Sequence, residues 1–349
     1  MLKFGIIGAG MIAPSGVEGA AKSGIAEVVA VADIHPGRLS AFAAKHGIPK
    51  TYPKAEDLIR DKGIEAVYIA VPNAFHAPYA IAALEADKHV ILDKPFATSY
   101  EEAVKVVEAA RKSGKVFTVG MNQRFTEGAQ KVRVLVERGY LGEIYRMRAF
   151  WRRRWGAPRL GTWFGNRKLS GGGCFLDVGV HMLDLALYIA GDFDAESVTG
   201  AVYTKFGNRG LGEGSWGASQ PEGMPFDVDD CALAFIRMKS GAAVQVEISW
   251  AALQKEDNSY NVEIFGTEAG AQAYPGEVYR FDRDLGAHVE AGSLRVPLKY
   301  PHANRFVNFF RAILGEEELC VTHEQALKVQ RIIDAVYESS AAHREVRIS

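Results

Sequence analysis

The sequence predicts an α/β protein in two parts: a doubly wound parallel sheet, then an α+β part built on a large, mostly antiparallel open sheet. Three observations carry this. Over residues 1–123 short apolar runs alternate with helix-like segments, and a glycine turn follows the first run. Past Gly120-Met121-Asn122-Gln123-Arg124-Phe125 the period changes to two, as where Val244, Val246, Ile248 and Trp250 alternate with Gln245, Glu247 and Ser249. At 349 residues the chain has room for two domains of roughly 100–200 residues each, expected at 1–123 and 124–349.

In the first part, strands are expected at Lys3–Gly8, Glu27–Asp33, Ala66–Val71, His89–Asp93 and Lys115–Val119, with a short one at Tyr52. Helices are expected around Val17–Lys22, Arg38–Lys45, Pro78–Ala86 and Tyr100–Ser113. Gly8-Ala9-Gly10-Met11-Ile12-Ala13 follows the first strand and opens the first helix, with alanine at the third glycine position. The first glycine permits a tight turn, and the second lets a pyrophosphate approach the backbone at the helix N-terminus. The signal gains force from Asp33, which ends the second strand 23 residues after Gly10, where a carboxylate can accept hydrogen bonds from an adenosine ribose. Asp33 would repel a 2′-phosphate, which favours NAD over NADP, although Arg38 could soften that choice.

Val71-Pro72-Asn73-Ala74-Phe75-His76 and Asp93-Lys94-Pro95 end two further strands at the edge where open sheets of this kind bind ligands. Asn73 is expected to line the cofactor; His76 either helps it or caps the next helix. Pro95 restricts the backbone of Lys94, so the ammonium is presented from a defined turn and can exchange a proton with a substrate hydroxyl.

In the second part a helix over Thr126–Arg138 leads into strands at Ile144–Trp151, Ser197–Tyr203, Cys231–Arg237, Tyr260–Phe265 and Glu277–Asp282. Gly171-Gly172-Gly173 precedes an apolar run through Met182, Leu183, Leu185 and Leu187, which suggests a helix entered from a tight loop. On a regular helix Asp177, His181 and Asp184 would share one face. Titratable groups on a core helix are costly unless paired, so the face is either catalytic or an ordinary capped and hydrogen-bonded one. Trp163 is a candidate ring-stacking wall. Phe150-Trp151-Arg152-Arg153-Arg154-Trp155 suits a sugar site, a subunit interface or a solvated strand end. Phe206–Phe226, with six glycines and two prolines, reads as a long lid or binding loop. Asn304–Leu314 and Ala326–Ala335 read as helices, the latter behind a capping box, Thr322-His323-Glu324-Gln325.

Composition narrows the function classes. Charged residues make up 24% and the formal net charge is -1, so no global field draws the chain to nucleic acid or a membrane. The three cysteines are scattered without a CxxC pair, which points to a reduced, cytoplasmic compartment and away from a zinc site. No signal segment is read at Met1-Leu2-Lys3-Phe4, and no apolar stretch of about 18 residues is expected to span a membrane.

Taken together, the glycine turn with Asp33, Val-Pro-Asn73-x-x-His76, Asp93-Lys94-Pro95 and Gly-Gly-Gly-x-x-x-Asp177-x-Gly-x-His181-x-x-Asp184 resemble the glucose-fructose oxidoreductase / inositol dehydrogenase (Gfo/Idh/MocA) family. The resemblance covers nearly the whole chain. It implies an N-terminal Rossmann domain holding a nicotinamide cofactor, and a C-terminal domain supplying substrate and oligomer contacts, as a homodimer or homotetramer. It further implies that Lys94 transfers the proton while Asp177 and His181 bind substrate and tune the transfer. Cofactor contacts are expected from Gly8, Gly10, Met11, Ile12, Asp33, Arg38, Pro72, Asn73, His76, Asp93, Lys94 and Asn122. Substrate contacts are expected from Lys94, Arg124, Arg152, Trp163, Asp177 and His181, and no metal is required. The family has Glu where this chain has Asp93. The stretch from Trp151 through Trp163 to Gly173 looks most like members that oxidise glycosides, anhydrosugars or cyclitols. The same parts also serve a redox-assisted glycoside hydrolase that keeps its NAD, and a non-catalytic dinucleotide-binding regulator would share the first domain.

Overall fold

The computed structural model describes residues 1–214, 223–292 and 294–348. Residues 215–222, inside the expected lid, lie outside this set. Two compact units form, one of Met1–Met121 with Asn304–Leu327, the other of Asn122–Ala303 with Lys328–Ser349. A single cut after residue 123 therefore does not describe the chain, because a late segment packs with the first unit.

In that unit six strands, β1 (Leu2–Ile7), β2 (Ala26–Ala32), β3 (Lys50–Tyr52), β4 (Ala66–Ile69), β5 (His89–Leu92) and β6 (Phe117–Val119), make one parallel sheet in the order β3-β2-β1-β4-β5-β6. Every residue of β4 is buried, as expected for a strand with helices over both faces. The helices are α1 (Pro14–Ser23), α2 (Pro36–His46), α3 (Ala55–Arg60), α4 (His76–Glu85) and α5 (Tyr100–Ser113). Sequence reasoning missed α3, whose six residues are too few to show a period. Strand order reverses at the β1/β4 pair, and a ligand crevice lies beyond the carboxyl ends of the strands at such a point.

The second unit starts with α6 (Glu127–Glu137) and β7 (Ile144–Arg153), then α7 (Arg167–Ser170) and α8 (Val180–Ala190). The strands β8 (Ala195–Tyr203), β9 (Cys231–Met238), β10 (Ala243–Ser249), β11 (Asn258–Gly266), β12 (Gly270–Gln272), β13 (Glu277–Asp282), β14 (Ala287–Ala291) and β15 (Val346–Arg347) follow. With β7 they form a nine-stranded sheet in which only the β7/β10 pair is parallel among the described residues. Met147, Ala149, Val244, Val246, Ile248, Val262 and Ile264 are buried on one face. The alternate positions Leu233 and Phe235 are exposed, so the opposite face is open.

The late segment is explained by its aromatics. Helix α9 (Arg305–Ile313) is capped by the Asn304 side chain, which accepts from the N–H groups of Phe306 (2.8 Å) and Val307 (3.2 Å). Its Phe306, Phe309 and Phe310 enter the core containing Phe4 and Tyr68, and burying each stabilises the unit by about 1.5–3 kcal/mol. A Cβ at position 19 would sit 2.4 Å from the Phe306 ring, so Gly19 admits it. The last helix, α10 (His323–Ala342), begins at the expected capping box, with Gln325 N–H donating to the Thr322 hydroxyl (3.3 Å), and runs past the expected end. One helical stretch, Arg167–Ala190, does reach the length and apolarity of a membrane span, but 83% of its most apolar window is buried in the protein. It is a core helix.

Candidate active site

The glycine turn has the properties its sequence demands. Gly8 has φ +96°, and a Cβ there would meet the Ala70 carbonyl oxygen at 2.3 Å. A Cβ at Gly10 would meet nothing within 4 Å, so the backbone is open where a pyrophosphate must approach, and Met11 and Ile12 stand exposed beside it. Asp33 is buried against this turn, accepting the Ala9 N–H at 2.8 Å. Its carboxylate also accepts the His35 N–H (2.8 Å) and a fork from Arg38 (2.9 and 2.7 Å). Burial pushes the Asp33 pKa up, but the Arg38 fork and the two backbone donors outweigh it and hold it below the usual carboxylate range. The open turn, the helix start and the carboxylate at the end of β2 fit a dinucleotide.

Beyond β4 and β5 two turns face the same edge. Pro72 is half-buried and Asn73 buried at the start of a short 3-10 turn. His76 is buried, with Nδ1 2.7 Å from the Pro95 carbonyl and Nε2 3.0 Å from the Val71 carbonyl. Burial lowers its pKa. His76, expected at the cofactor or at the start of the next helix, sits between the β4 turn and the lysine turn with one ring nitrogen facing each carbonyl, and whichever nitrogen carries the proton donates. Asp93 is also buried: it accepts from the Lys94 N–H (3.0 Å), Tyr68 Oη (3.0 Å) and Arg305 Nη1 (2.8 Å). Its carboxylate, expected at the cofactor, is thus engaged by partners inside the unit. Lys94 is half-buried in this turn.

In the second unit the glycine run folds onto a buried carboxylate that sequence reasoning missed. Asp229 accepts from Gly173 N–H (2.8 Å), Phe175 N–H (2.9 Å), the Cys174 thiol (3.2 Å) and Tyr337 Oη (2.9 Å). A Cβ at Gly173 would lie 1.9 Å from the Asp229 carbonyl oxygen, which explains the glycine. Beyond it, Phe175–Gly179 forms a π-helical turn ahead of α8, and such turns often sit at functional sites. This turn shifts the spacing of Asp177 relative to His181 and Asp184, which keep regular helical spacing on α8. Asp177 is half-buried and accepts the Trp250 indole N–H at 3.0 Å. His181 lies beside the Trp151 ring, 6.2 Å between centroids. Asp184 is fully buried in a fork with Arg124 (2.8 and 2.6 Å).

Strand parity decides the arginines. Trp151 and Arg153 share the inner face of β7 with buried Met147 and Ala149, and the Arg153 guanidinium lies 4.6 Å from the Trp151 ring centre. Burial lowers the Arg153 pKa against the opposing pull of the Asp177 carboxylate. Arg152 points the other way, toward Glu247 (3.8 Å) and the Phe150 ring (5.1 Å).

The comparisons with known proteins agree with this architecture. Residues 2–121 match the model of an oxidoreductase family with an NAD-binding Rossmann fold, and residues 129–272 match the GFO/IDH/MocA C-terminal domain. D-glucoside 3-dehydrogenase of Escherichia coli (strain K12) is 30% identical over 322 residues, 92% of this chain and 90% of that protein. The chain belongs to the Gfo/Idh/MocA family. It is an NAD-binding oxidoreductase. Levoglucosan dehydrogenase of Pseudarthrobacter phenanthrenivorans is 32% identical over 247 residues, 68% of this chain and 62% of that protein. A levoglucosan dehydrogenase structure, in complex with NADH and L-sorbose, shares the fold with TM-score 0.88 at 24% identity, covering 100% of this chain and 99% of that one.

Against the Gfo/Idh/MocA pattern, several expected site residues change place. Arg124, expected at the substrate, is a core residue with its charge matched by Asp184 and its guanidinium over the rings of Tyr188 (4.9 Å) and Phe193 (5.3 Å). Arg152, expected at the substrate, lies on the opposite face of β7 from Trp151 and Arg153, since a one-residue step along a strand changes the face. Trp163 is half-buried in a 3-10 turn and stacked on Phe164 at 3.9 Å. Asn122, expected at the cofactor, belongs to the second unit and is exposed. Asp229, Trp250 and Arg305 were not expected near these motifs, whereas Trp151 and Arg153 fall in the aromatic and basic stretch expected at a sugar site, a subunit interface or a strand end. For Arg153 a signal existed in the apolar alternation Met147, Ala149, Trp151. The others are joined to their partners only by the tertiary fold.

Proposed function

We propose that this oxidoreductase converts one secondary ring hydroxyl of a glycoside, anhydrosugar, sugar or cyclitol to a ketone, with Lys94 accepting the hydroxyl proton. A D-glucoside-acting relative aligned over 92% of the chain favours the glycosides. NAD, when bound, supplies the acceptor for the hydride leaving the carbinol carbon. As the carbon–oxygen double bond forms, the hydroxyl proton passes to Nζ of Lys94. The observation that carries this reading is Lys94 itself, half-buried in a turn pinned by His76 and Asp93 at the carboxyl end of β5. Asp177, fixed by the Trp250 indole, and His181, beside Trp151, hold the sugar hydroxyls. Arg153 balances the Asp177 charge. The open sheet face, with Leu233 and Phe235 exposed, supports association of copies into a dimer or tetramer, which light scattering of the purified protein would measure.

The test is absorbance of NADH with purified protein and NAD across glycosides, anhydrosugars, free sugars and cyclitols. NADH should rise in step with ketone. In Lys94→Ala kcat should fall by about 10²–10⁴-fold, the usual contribution of a general base, while NADH still binds. Undiminished turnover in that variant would remove Lys94 from the chemistry. Release of an aglycone without accumulating NADH would mark a redox-assisted hydrolase.

A further inference from the structure

The family's glutamate before the catalytic lysine is an aspartate here, and the structure shows where its charge has gone. Besides Asp93 at 2.8 Å, Arg305 Nη1 reaches the Gly120 carbonyl at 2.7 Å, and Nη2 reaches Tyr68 Oη at 3.1 Å and Ser15 Oγ at 3.3 Å. These partners come from the ends of β4, β5 and β6 and from α1. The guanidinium also lies over the rings of Tyr68 (5.6 Å) and Phe306 (5.0 Å). A Cβ at position 120 would sit 2.4 Å from Nη1, so Gly120 is what lets the cation in.

We propose that Arg305 is a positioning residue for Lys94, acting through Asp93: it fixes the carboxylate that holds the lysine turn and cancels that carboxylate's charge beside the lysine. The inference rests on the role given to Lys94 above. The titratable and charged groups around Asp93 are Tyr68 from β4, His76 from α4, Arg305 from α9 and Lys94 itself. Burial raises the Tyr68 pKa and lowers that of His76, so the carboxylate's compensation falls first to Arg305, the largest cationic influence on it, and then to Lys94. Without Arg305, an unbalanced carboxylate next to Lys94 favours the ammonium, which cannot accept a proton.

The experiment compares Arg305→Gln, Asp93→Asn and the charge-free double variant, each saturated with NAD, by the pH dependence of kcat. In Arg305→Gln the limb on which activity rises with pH should move up by about one unit, the low end of what a neighbouring charge does. Asp93→Asn should move it down, and the double variant should restore it. An unmoved limb in Arg305→Gln, or a double variant that keeps the shift, would make Arg305 a structural residue only. If Arg305→Gln does not fold, the downward shift in Asp93→Asn and its reversal in the double variant decide the matter. The same variants are read without turnover by the pH dependence of Lys94 acylation, measured by mass spectrometry. An absent dehydrogenase activity with shifted acylation would sink the functional reading and keep the inference; turnover with unshifted acylation would do the reverse.

Discussion

Each unit hangs its candidate reactive group on a buried carboxylate, and the two carboxylates are satisfied by opposite means. Asp93 beside Lys94 is neutralised by a cation, Arg305, brought in across 212 residues of sequence. Asp229 beneath the Asp177 turn takes two backbone N–H groups, a thiol and a phenol, none of them charged. A buried ion pair is costly to break, because either partner alone leaves an unmatched charge, whereas a carboxylate solvated by neutral donors loses its hydrogen bonds one at a time. The first arrangement controls charge at the proposed proton acceptor. The second controls shape.

The largest test of that contrast is stability. Asp93→Asn should cost about 3–5 kcal/mol in urea unfolding, since it strands Arg305. Asp229→Asn should cost about 1–3 kcal/mol, since it misdirects hydrogen bonds without stranding a charge. Equal losses would break the comparison.

pH should separate the two next. The Asp93 pKa is lowered, burial being outweighed by Arg305, so its contribution is present above about pH 4 and lost as acid approaches the folded value. Burial and then Asp229 push the Cys174 thiol well up, so that contribution is present below about pH 8.5 and declines as pH rises toward the folded value. Melting curves across pH should show Asp93→Asn flattening the acid limb and Cys174→Ser, which keeps a donor, flattening the alkaline one.

Smaller still, Trp250→Phe removes the indole donor from Asp177 and should lower kcat/KM about tenfold, a hydrogen bond to a charged group being worth roughly 1.5–3 kcal/mol. Smallest, Arg152→Ala on the open face should change kcat/KM by less than about threefold, in line with surface changes of about 0.5 kcal/mol, while Arg153→Ala should exceed that. The reverse order would restore the arginine that sequence reasoning preferred.

What could be read in the sequence was what neighbours in the sequence decide. The glycine turn, Asp33 at the end of β2, the Lys94-Pro95 turn and the glycines before Asp177 are local motifs, and the fold class follows from their alternation with apolar runs. Arg124 was hard to place because an arginine near a motif carries no mark of its partner: Asp184 lies 60 residues from Arg124. Asp229 and Arg305 gave no local signal at all, being an acid before a strand and a cation at a helix start. The π-helical turn was hidden for a different reason, since a widened turn has the same composition as a regular one.

The return of Asn304–Leu327 to the first unit bears on how the protein is made. A ribosome releases residues 1–121 long before Arg305 exists, and strands β7 through β14 emerge in between. The nascent dinucleotide-binding sheet must therefore wait with Asp93 uncompensated and the hydrophobic seat of Phe306 and Phe310 open, a state prone to wrong association. A domain graft between relatives faces the same condition: a transplanted cofactor unit needs both segments of chain, and one that ends at residue 121 leaves Asp93 without Arg305.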